Sequence, residues 1–163
     1  MITQKRLKEL VTYDPATGIF RWIRLVGKKG KVGKKVGSKH SGGYLEAQID
    51  NHRNFLHRFA WLYMTGKWPD DQIDHKNTIR SDNRWSNLRK ASCQQNSANG
   101  VKRKTNTSGF KGVYFNKKNK SWIANIHLDY KTRYLGSFSS KEEAHAAYFE
   151  AAIAANGEFS RAA

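Results

Sequence analysis

Asp74, His75, Asn87 and Asn96 fall within one short span of the chain, in a pattern suited to phosphodiester chemistry. Hydrolysing a phosphodiester takes a base to deprotonate water and a hard divalent cation to neutralise the phosphate and leaving oxygen. His75 can be the base, because an unperturbed imidazole titrates near pH ~6.5 and exchanges protons at working pH. Asp74 and Asn96 offer oxygen atoms, the donors Mg²⁺ prefers, with water and phosphate completing the shell. Mn²⁺ would accept the same pair. Asn87 reads differently: its amide can bond main chain on both sides of a loop and hold the strand that bears His75. The bland alternative makes Asp74 and His75 a surface pair and Asn96 a cap.

These side chains need rigid elements under them. Ile73 ahead of Asp74-His75 predicts a strand near 72–76, with a second near 86–90. Ser92 is a good N-cap, and Gln95 three residues on completes a capping box. That places Asn96 one turn into a helix ending near Gly100, with Asn99 on the same face.

Taken together, Trp68-Pro69, Ile73-Asp74-His75-Lys76-Asn77, Asp82-Asn83-Arg84, Asn87-Leu88-Arg89 and Gln95-Asn96 resemble the HNH nucleases. The likeness is to the variant in phage and intron-encoded enzymes whose last His is replaced by Asn. The resemblance implies a ββα-metal site, two strands and a helix clasping one metal ion. It implies His75 as general base, Asp74 and Asn96 as metal ligands, and a structural role in the catalytic centre for Asn87.

Upstream, residues 3–11 predict a helix capped by Thr3, with Leu7, Leu10 and Val11 as its apolar stripe. Tyr13 to Gly18 is a turn and Ile19 to Trp22 a strand. Residues 27–43 hold six glycines and six lysines with almost nothing apolar, which predicts a mobile loop whose lysines follow DNA phosphates or a solvated linker. Tyr44–Ile49 and Arg53–Leu56 predict a hairpin turned at 50–52, and residues 57–64 a short amphipathic helix stopped by Gly66 and Pro69. His57 at that helix start reads as a packing or capping residue before a chemical one. Arg58 is a comparable candidate for phosphate.

Charge says more about partners than about fold. The net charge is +17, from 30 Lys and Arg against 13 acids. Between Asp14 and Glu46 lie eight basic residues and no acid, and between Asp82 and Asp129 ten more, again with no acid. Such blocks are the footprint of a polyphosphate partner. A membrane surface would want a basic amphipathic helix, whereas these blocks are rich in Gly and Asn. Cys93 is the one cysteine, so no disulfide framework exists and zinc spacing is lacking. With no apolar leader and no membrane-length run, the expectation is a soluble cytoplasmic protein.

Residues 100–108 break all periodicity and predict a basic linker, in which Lys102, Arg103 and Lys104 either follow a DNA groove or serve as spacer. From Phe110 the pattern is antiparallel: strands at 110–115, 121–128 and 132–138, then an alanine-rich helix. Ser140 caps that helix with Glu143 as box partner, and Ala144, Tyr148, Ala151 and Ala155 form its packing stripe. The Gly112-Val113 pair, the Leu135-Gly136-Ser137-Phe138 step and the Glu142-Glu143-Ala144…Ala147-Tyr148 helix resemble the AP2/ERF DNA-binding domain. That resemblance implies a three-stranded sheet in the major groove, with DNA contact from Lys111, Tyr114, Asn116, Asn125, His127, Thr132 and Tyr134. Several of these positions differ from the plant factors, so the target sequence does not carry over.

The expected architecture is therefore α+β. A ββα-metal nuclease domain with an α/β extension covers 1–99, a linker 100–108, and a three-stranded sheet plus one helix 109–163. The expected activity is a divalent-metal-dependent endonuclease of the homing or phage type, a monomer acting on duplex DNA and nicking one strand. The alternatives are a DNA-binding regulator with a vestigial nuclease site and, more weakly, an RNA-binding protein.

Overall fold

In a computed structural model that describes residues 1–25, 32–102 and 105–161, the chain forms two compact units, Met1–Lys90 and Ala91–Ala163. Lys28, Lys29, Lys31, Arg103 and Lys104 lie outside the described residues.

The first unit opens with α1 (Gln4–Leu10), whose Thr3 hydroxyl accepts from the Arg6 amide and whose Leu7 and Leu10 are buried. Val11–Asp14 (β1) and Ile19–Trp22 (β2) pair antiparallel around a turn that Asp14 organises, accepting from the Ala16 amide and the Thr17 hydroxyl. Ser38–Lys39 (β3), Leu45–Ile49 (β4) and His52–Phe55 (β5) make a three-stranded sheet in that order. Asp50 and Asn51 both take positive φ, the backbone that a two-residue hairpin turn demands. Part of the glycine–lysine stretch is thus ordered: β3 pairs with β4, and Lys35 bridges Arg21.

Helix α2 (Leu56–Thr65) runs directly off β5 and ends on Gly66 at φ 79°. Its Leu56, Phe59, Ala60 and Leu62 join Leu7, Val11, Phe20 and Ile49 in the core. The Arg6 guanidinium clasps the Asp50 carboxylate through Nε at 2.9 Å, tying α1 to the hairpin turn. Gln72–His75 (β6) and Leu88–Ala91 (β7) form a two-stranded sheet, with a 3₁₀ turn at Trp85–Asn87 just before β7.

The second unit contains α3 (Cys93–Asn99), the antiparallel sheet of β8 (Val113–Asn116), β9 (Ser121–Leu128) and β10 (Lys131–Phe138), and α4 (Lys141–Asn156). β9 lies at the sheet's centre. The Ser92 hydroxyl and Gln95 side chain make a reciprocal capping box on α3. The first strand begins later than the expected residue 110, because Gly112 is left-handed at φ 69° and a side chain there would collide with the Tyr148 ring. On α4 the packing stripe is Ala144, Tyr148, Ala152 and Asn156, while Ala155 is exposed. Ala151 also packs, partly buried, against the same cluster, and the steps of four from Ala144 to Asn156 carry the buried stripe about 40° around the helix each time, away from Ala155. Glu143 turns its carboxylate to the Ser139 hydroxyl and amide, so the Ser140 cap is one-sided.

One close approach in the first unit matters for the site. Gly18, at φ 72°, ends the β1–β2 turn so near the main chain of Asn83 and Arg84 that any Cβ there would overlap backbone. The Trp85 amide donates to the Pro15 carbonyl at 2.9 Å and the Tyr13 hydroxyl to the Asn83 carbonyl at 2.7 Å. The hairpin is therefore a brace for the segment 83–85. Left-handed backbone alone costs an ordinary residue about 1–2 kcal/mol. Gly18→Ala is expected to lose more than that in urea unfolding, because the overlap adds to it. A smaller loss would show that the brace yields.

Candidate active site

Strand β6 is short, and Ile73, Asp74 and His75 are all buried. An isolated charge in such a place is prohibitively costly, so each polar side chain must find a partner. Asp74 finds Arg89 of β7: its Oδ2 accepts from Nε at 2.8 Å, and both side chains are nearly enclosed. A carboxylate has about four lone-pair sites, so this bond does not exhaust its acceptor capacity.

His75 finds Asn83, which is 1% exposed, with Nε2 and Oδ1 3.1 Å apart. An amide oxygen only accepts, so a hydrogen bond in this orientation calls for the hydrogen on Nε2, which would leave the lone pair of the neutral ring on Nδ1. Burial holds the His75 pKa below the usual histidine value, opposed by the Asn83 bond and the Asp74 and Asp82 carboxylates.

The loop between β6 and β7 is clamped by Asn87. Its Nδ2 donates to Asn77 Oδ1 at 3.0 Å and to the Asp82 carbonyl at 2.8 Å, and its Oδ1 accepts from the Asn77 amide at 3.0 Å. Its own carbonyl accepts from the Lys76 amide at 2.9 Å. One amide thus bonds both ends of the loop that leaves His75. Asp82 is held below the usual carboxylate range, at about 2, first by its hydrogen bonds from Arg84.

A wall of rings lies beside His75. The His57 ring sits edge-on at 5.1 Å, and Tyr44 is 5.4 Å from His57 and 5.9 Å from His75. Phe55 stacks on His57 at 5.5 Å, and the Arg80 guanidinium lies 5.0 Å above Tyr44. His57 is 6% exposed, and its Nδ1 has no hydrogen-bond partner among the described residues. Burial, with His75 and Arg58 alongside, pushes its pKa down to about 3. Arg58, a phosphate candidate in the sequence, gives its guanidinium to the Pro69 carbonyl at 3.1 Å and the Asp71 carbonyl.

The sequence missed Asn83, Arg89 and the Tyr44–Phe55 wall. Nothing in residue type or spacing pairs Asn83 with His75 across the intervening turn; only the fold does.

In the second unit, Asn96 lies half-buried on α3, its amide donating to the Ser92 carbonyl at 2.9 Å. Cross-strand register sets Tyr134 opposite Asn125, Thr132 opposite His127, Tyr114 opposite Ile123 and Asn116 opposite Ser121. The pleat therefore gathers Tyr114, Asn116, Asn125, His127, Thr132 and Tyr134 on the face away from Ala124, Ile126 and Leu128. Tyr114, His127, Thr132 and Tyr134 are exposed. Asn116 uses its Oδ1 to accept from the Lys118 amide at 3.0 Å in the turn. Lys111 is placed differently: its ammonium donates to the carbonyls of Ala98 and Gly100 at the end of α3. Lys102 is exposed, with its ammonium on the Gly109 carbonyl at 2.9 Å. A groove of about 1010 Å³ runs within this unit past Gln94, Lys102, Lys111, Asn125 and His127.

Among the described residues no group of three or more His, Cys, Asp or Glu side chains could hold a metal. No helix there is long and apolar enough to cross a membrane. Residues 54–98 match the family model of the HNH endonuclease. The matched segment contains His57, Asp74, His75, Asn83, Asn87, Arg89 and Asn96. No curated protein matches the chain. The match supports a nuclease, and helices with small antiparallel sheets are compatible with an HNH domain.

The buried neutral His57 makes stability depend on pH with a definite sign. Its pKa is depressed in the fold, so the unfolded chain binds the proton first, and stability is lost as pH falls from about 6.5 toward about 3. At pH 5 this single group removes about 2 kcal/mol. His57→Phe keeps the ring and removes the titration. Urea midpoints at pH 7.5 and pH 5 are expected to differ less in the variant than in the parent; an equal drop would place the acid sensitivity elsewhere.

Proposed function

We propose that the chain is a metal-dependent DNA endonuclease of the homing or phage HNH type, hydrolysing phosphodiester bonds in duplex DNA. The observation that carries the reading is a buried imidazole, His75, beside the Asp74 carboxylate inside the segment that matches the HNH endonuclease. His75 takes a proton from water through Nδ1, and the water oxygen attacks the scissile phosphorus as the bond to the 3′ oxygen breaks. Asn87 keeps the loop behind His75 closed, so the base does not drift.

HNH nucleases generally use a divalent metal. By the chemistry of their side-chain oxygens, Asp74 and Asn96 are the residues that would hold a hard cation, Mg²⁺ or Mn²⁺, with water and phosphate as its other ligands. When bound, such a cation neutralises charge at the phosphate and the departing oxygen. Arg89, donating to Asp74 Oδ2, fixes the carboxylate's orientation.

The second unit supplies the hold on DNA. Tyr114, Asn125, His127, Thr132 and Tyr134 form a sheet face suited to the major groove in the manner of an AP2/ERF domain, with Asn116 at its rim. Lys102, with Arg103 and Lys104 of the same basic run, tracks phosphates. Lys111 contributes by holding α3. The protein acts as a monomer inside the cell, one site per chain nicking one strand.

A second reading has an observation of its own. Asp74 is already paired with Arg89, which favours a DNA-binding regulator with a vestigial site.

Supercoiled plasmid with Mg²⁺ and with EDTA separates the two: nicking that EDTA stops supports the enzyme, and binding without nicking under Mg²⁺ and Mn²⁺ supports the regulator. His75→Ala is expected to lose ~10²–10⁴-fold in rate while duplex affinity stays within a few fold. Equal losses in both would make His75 structural. If roughly six phosphates are neutralised, affinity falls about a thousandfold between 50 and 200 mM salt. A flat response would remove the basic blocks from the DNA contact.

A further inference from the structure

We propose that Asn83 is a positioning residue for the His75 base, its side-chain oxygen holding the imidazole as the Nε2–H tautomer so that Nδ1 is the atom that takes the proton. This rests on the nuclease reading above and names a residue that reading does not require.

Asn83 follows the loop from β6 and is 1% exposed. Its main chain is fixed from outside the loop: Tyr13 bonds its carbonyl, the Gly18 backbone packs against it, and Trp85 next but one is bonded to Pro15. Asp82 before it is bound by Asn77 and Arg84. The side chain then has little freedom, and Oδ1 stands 3.1 Å from His75 Nε2. Asn83 Nδ2 meanwhile has no hydrogen-bond partner among the described residues. A buried amide that leaves its own N–H₂ unsatisfied gives up about 1–3 kcal/mol. The arrangement keeps Oδ1 on the imidazole at a local cost in hydrogen bonding.

The chemistry favours this orientation. With the amide turned over, its N–H would donate to Nε2, and the ring hydrogen would move to Nδ1. The only lone pair would then be occupied by the amide, and the ring could not accept a proton without breaking that bond. With Oδ1 inward, Nε2–H donates throughout. Its bond strengthens as the ring becomes imidazolium, since charge-assisted bonds are roughly twice as strong as neutral ones. An interaction stronger after proton transfer than before it accelerates the step. The edge-on His57 ring, buried and neutral, completes the restraint by limiting rotation of the His75 plane.

The test uses the full chain with ¹⁵N-labelled histidine, the His75 signals being identified by their absence from His75→Gln. Two-bond ¹H–¹⁵N correlations distinguish Nε2–H from Nδ1–H rings. The wild type is expected to show the Nε2–H pattern at His75, and Asn83→Leu a mixture of tautomers. Nicking by Asn83→Leu is expected to lose about 10–100-fold in kcat with duplex affinity unchanged. Asn83→Asp, which keeps the acceptor and the shape, is expected to retain the Nε2–H pattern and to nick faster than Asn83→Leu; it also carries the test if Asn83→Leu does not fold. An Nδ1–H pattern in the wild type, or full activity in Asn83→Leu, overturns the proposal while leaving His75 as the base. Metal-dependent nicking that survives in His75→Gln removes His75 as the base, and no nicking by the wild type overturns the nuclease reading; either outcome overturns the positioning role of Asn83 with it.

Discussion

Three consecutive residues of β6 are buried, and two of them are ionisable. That single constraint shapes most of the first unit. A strand can carry aspartate and histidine inward only if partners wait for them, because desolvation would otherwise cost several kcal/mol per group. Arg89 answers Asp74 from the neighbouring strand, and Asn83 answers His75 from the loop between the strands. Each partner must in turn be held. Asn87 closes the loop, and the β1–β2 hairpin leans on its far end through Tyr13, Pro15 and Gly18. Elements remote in sequence from His75 thus exist, in structural terms, to fix two side-chain oxygens.

Much of this was legible in the residues. The Asp14–Gly18 turn, the Thr3 and Ser92 caps and the hairpin at Asp50-Asn51 rest on local chemistry that works wherever the segment lies. Others depended on what packs where. The α4 stripe follows Ala144, Tyr148 and Ala152 because the helix must lie along the sheet, and an alanine-rich helix offers no amphipathic contrast to reveal which alanines face it. Glu143 bonds Ser139 rather than closing a box on Ser140, a choice between neighbouring donors that spacing cannot make. At the site, Asp74, His75 and Asn87 stood out by type and order, whereas Asn83 was one asparagine among many until its loop was bent back upon the ring.

The division into units falls between Lys90 and Ala91, well before the basic stretch at 100–108. The reason is visible in α3. Its Gln94 side chain donates to Asn156 Oδ1 at 3.1 Å and accepts from the Asp129 amide at 3.2 Å. The Lys111 ammonium then closes the helix end by bonding Ala98 and Gly100. A cation on the last carbonyls of a helix is favoured by the orphan acceptors and by the helix dipole. Burial lowers the Lys111 pKa from its usual value, yet the side chain stays where its donors are used. A lysine whose expected place in the first strand marked it for DNA is thereby engaged within the protein, while Tyr114, Thr132 and Tyr134 stay exposed on the sheet face.

A neutral acceptor behind a base histidine has consequences that a charged one would not. Carboxylate behind imidazole raises its basicity and stabilises the protonated ring even at rest. An amide oxygen orients the ring without adding charge, which suits a site where the flanking Asp74 already bears one and is balanced by Arg89. Burial then acts on His75 in the direction of neutrality, and the neighbouring His57 is kept uncharged by the same means. A protonated His57 at 5.1 Å from His75 would disfavour a proton on the His75 ring, against its proposed role as base. The ring wall of Tyr44, Phe55 and His57 therefore does two things at once: it excludes water from one side of the imidazole and removes the charge that would weaken it. On the proposed role of His75 as the base, the aromatic residues around β6 matter as much as the asparagine proposed to aim it.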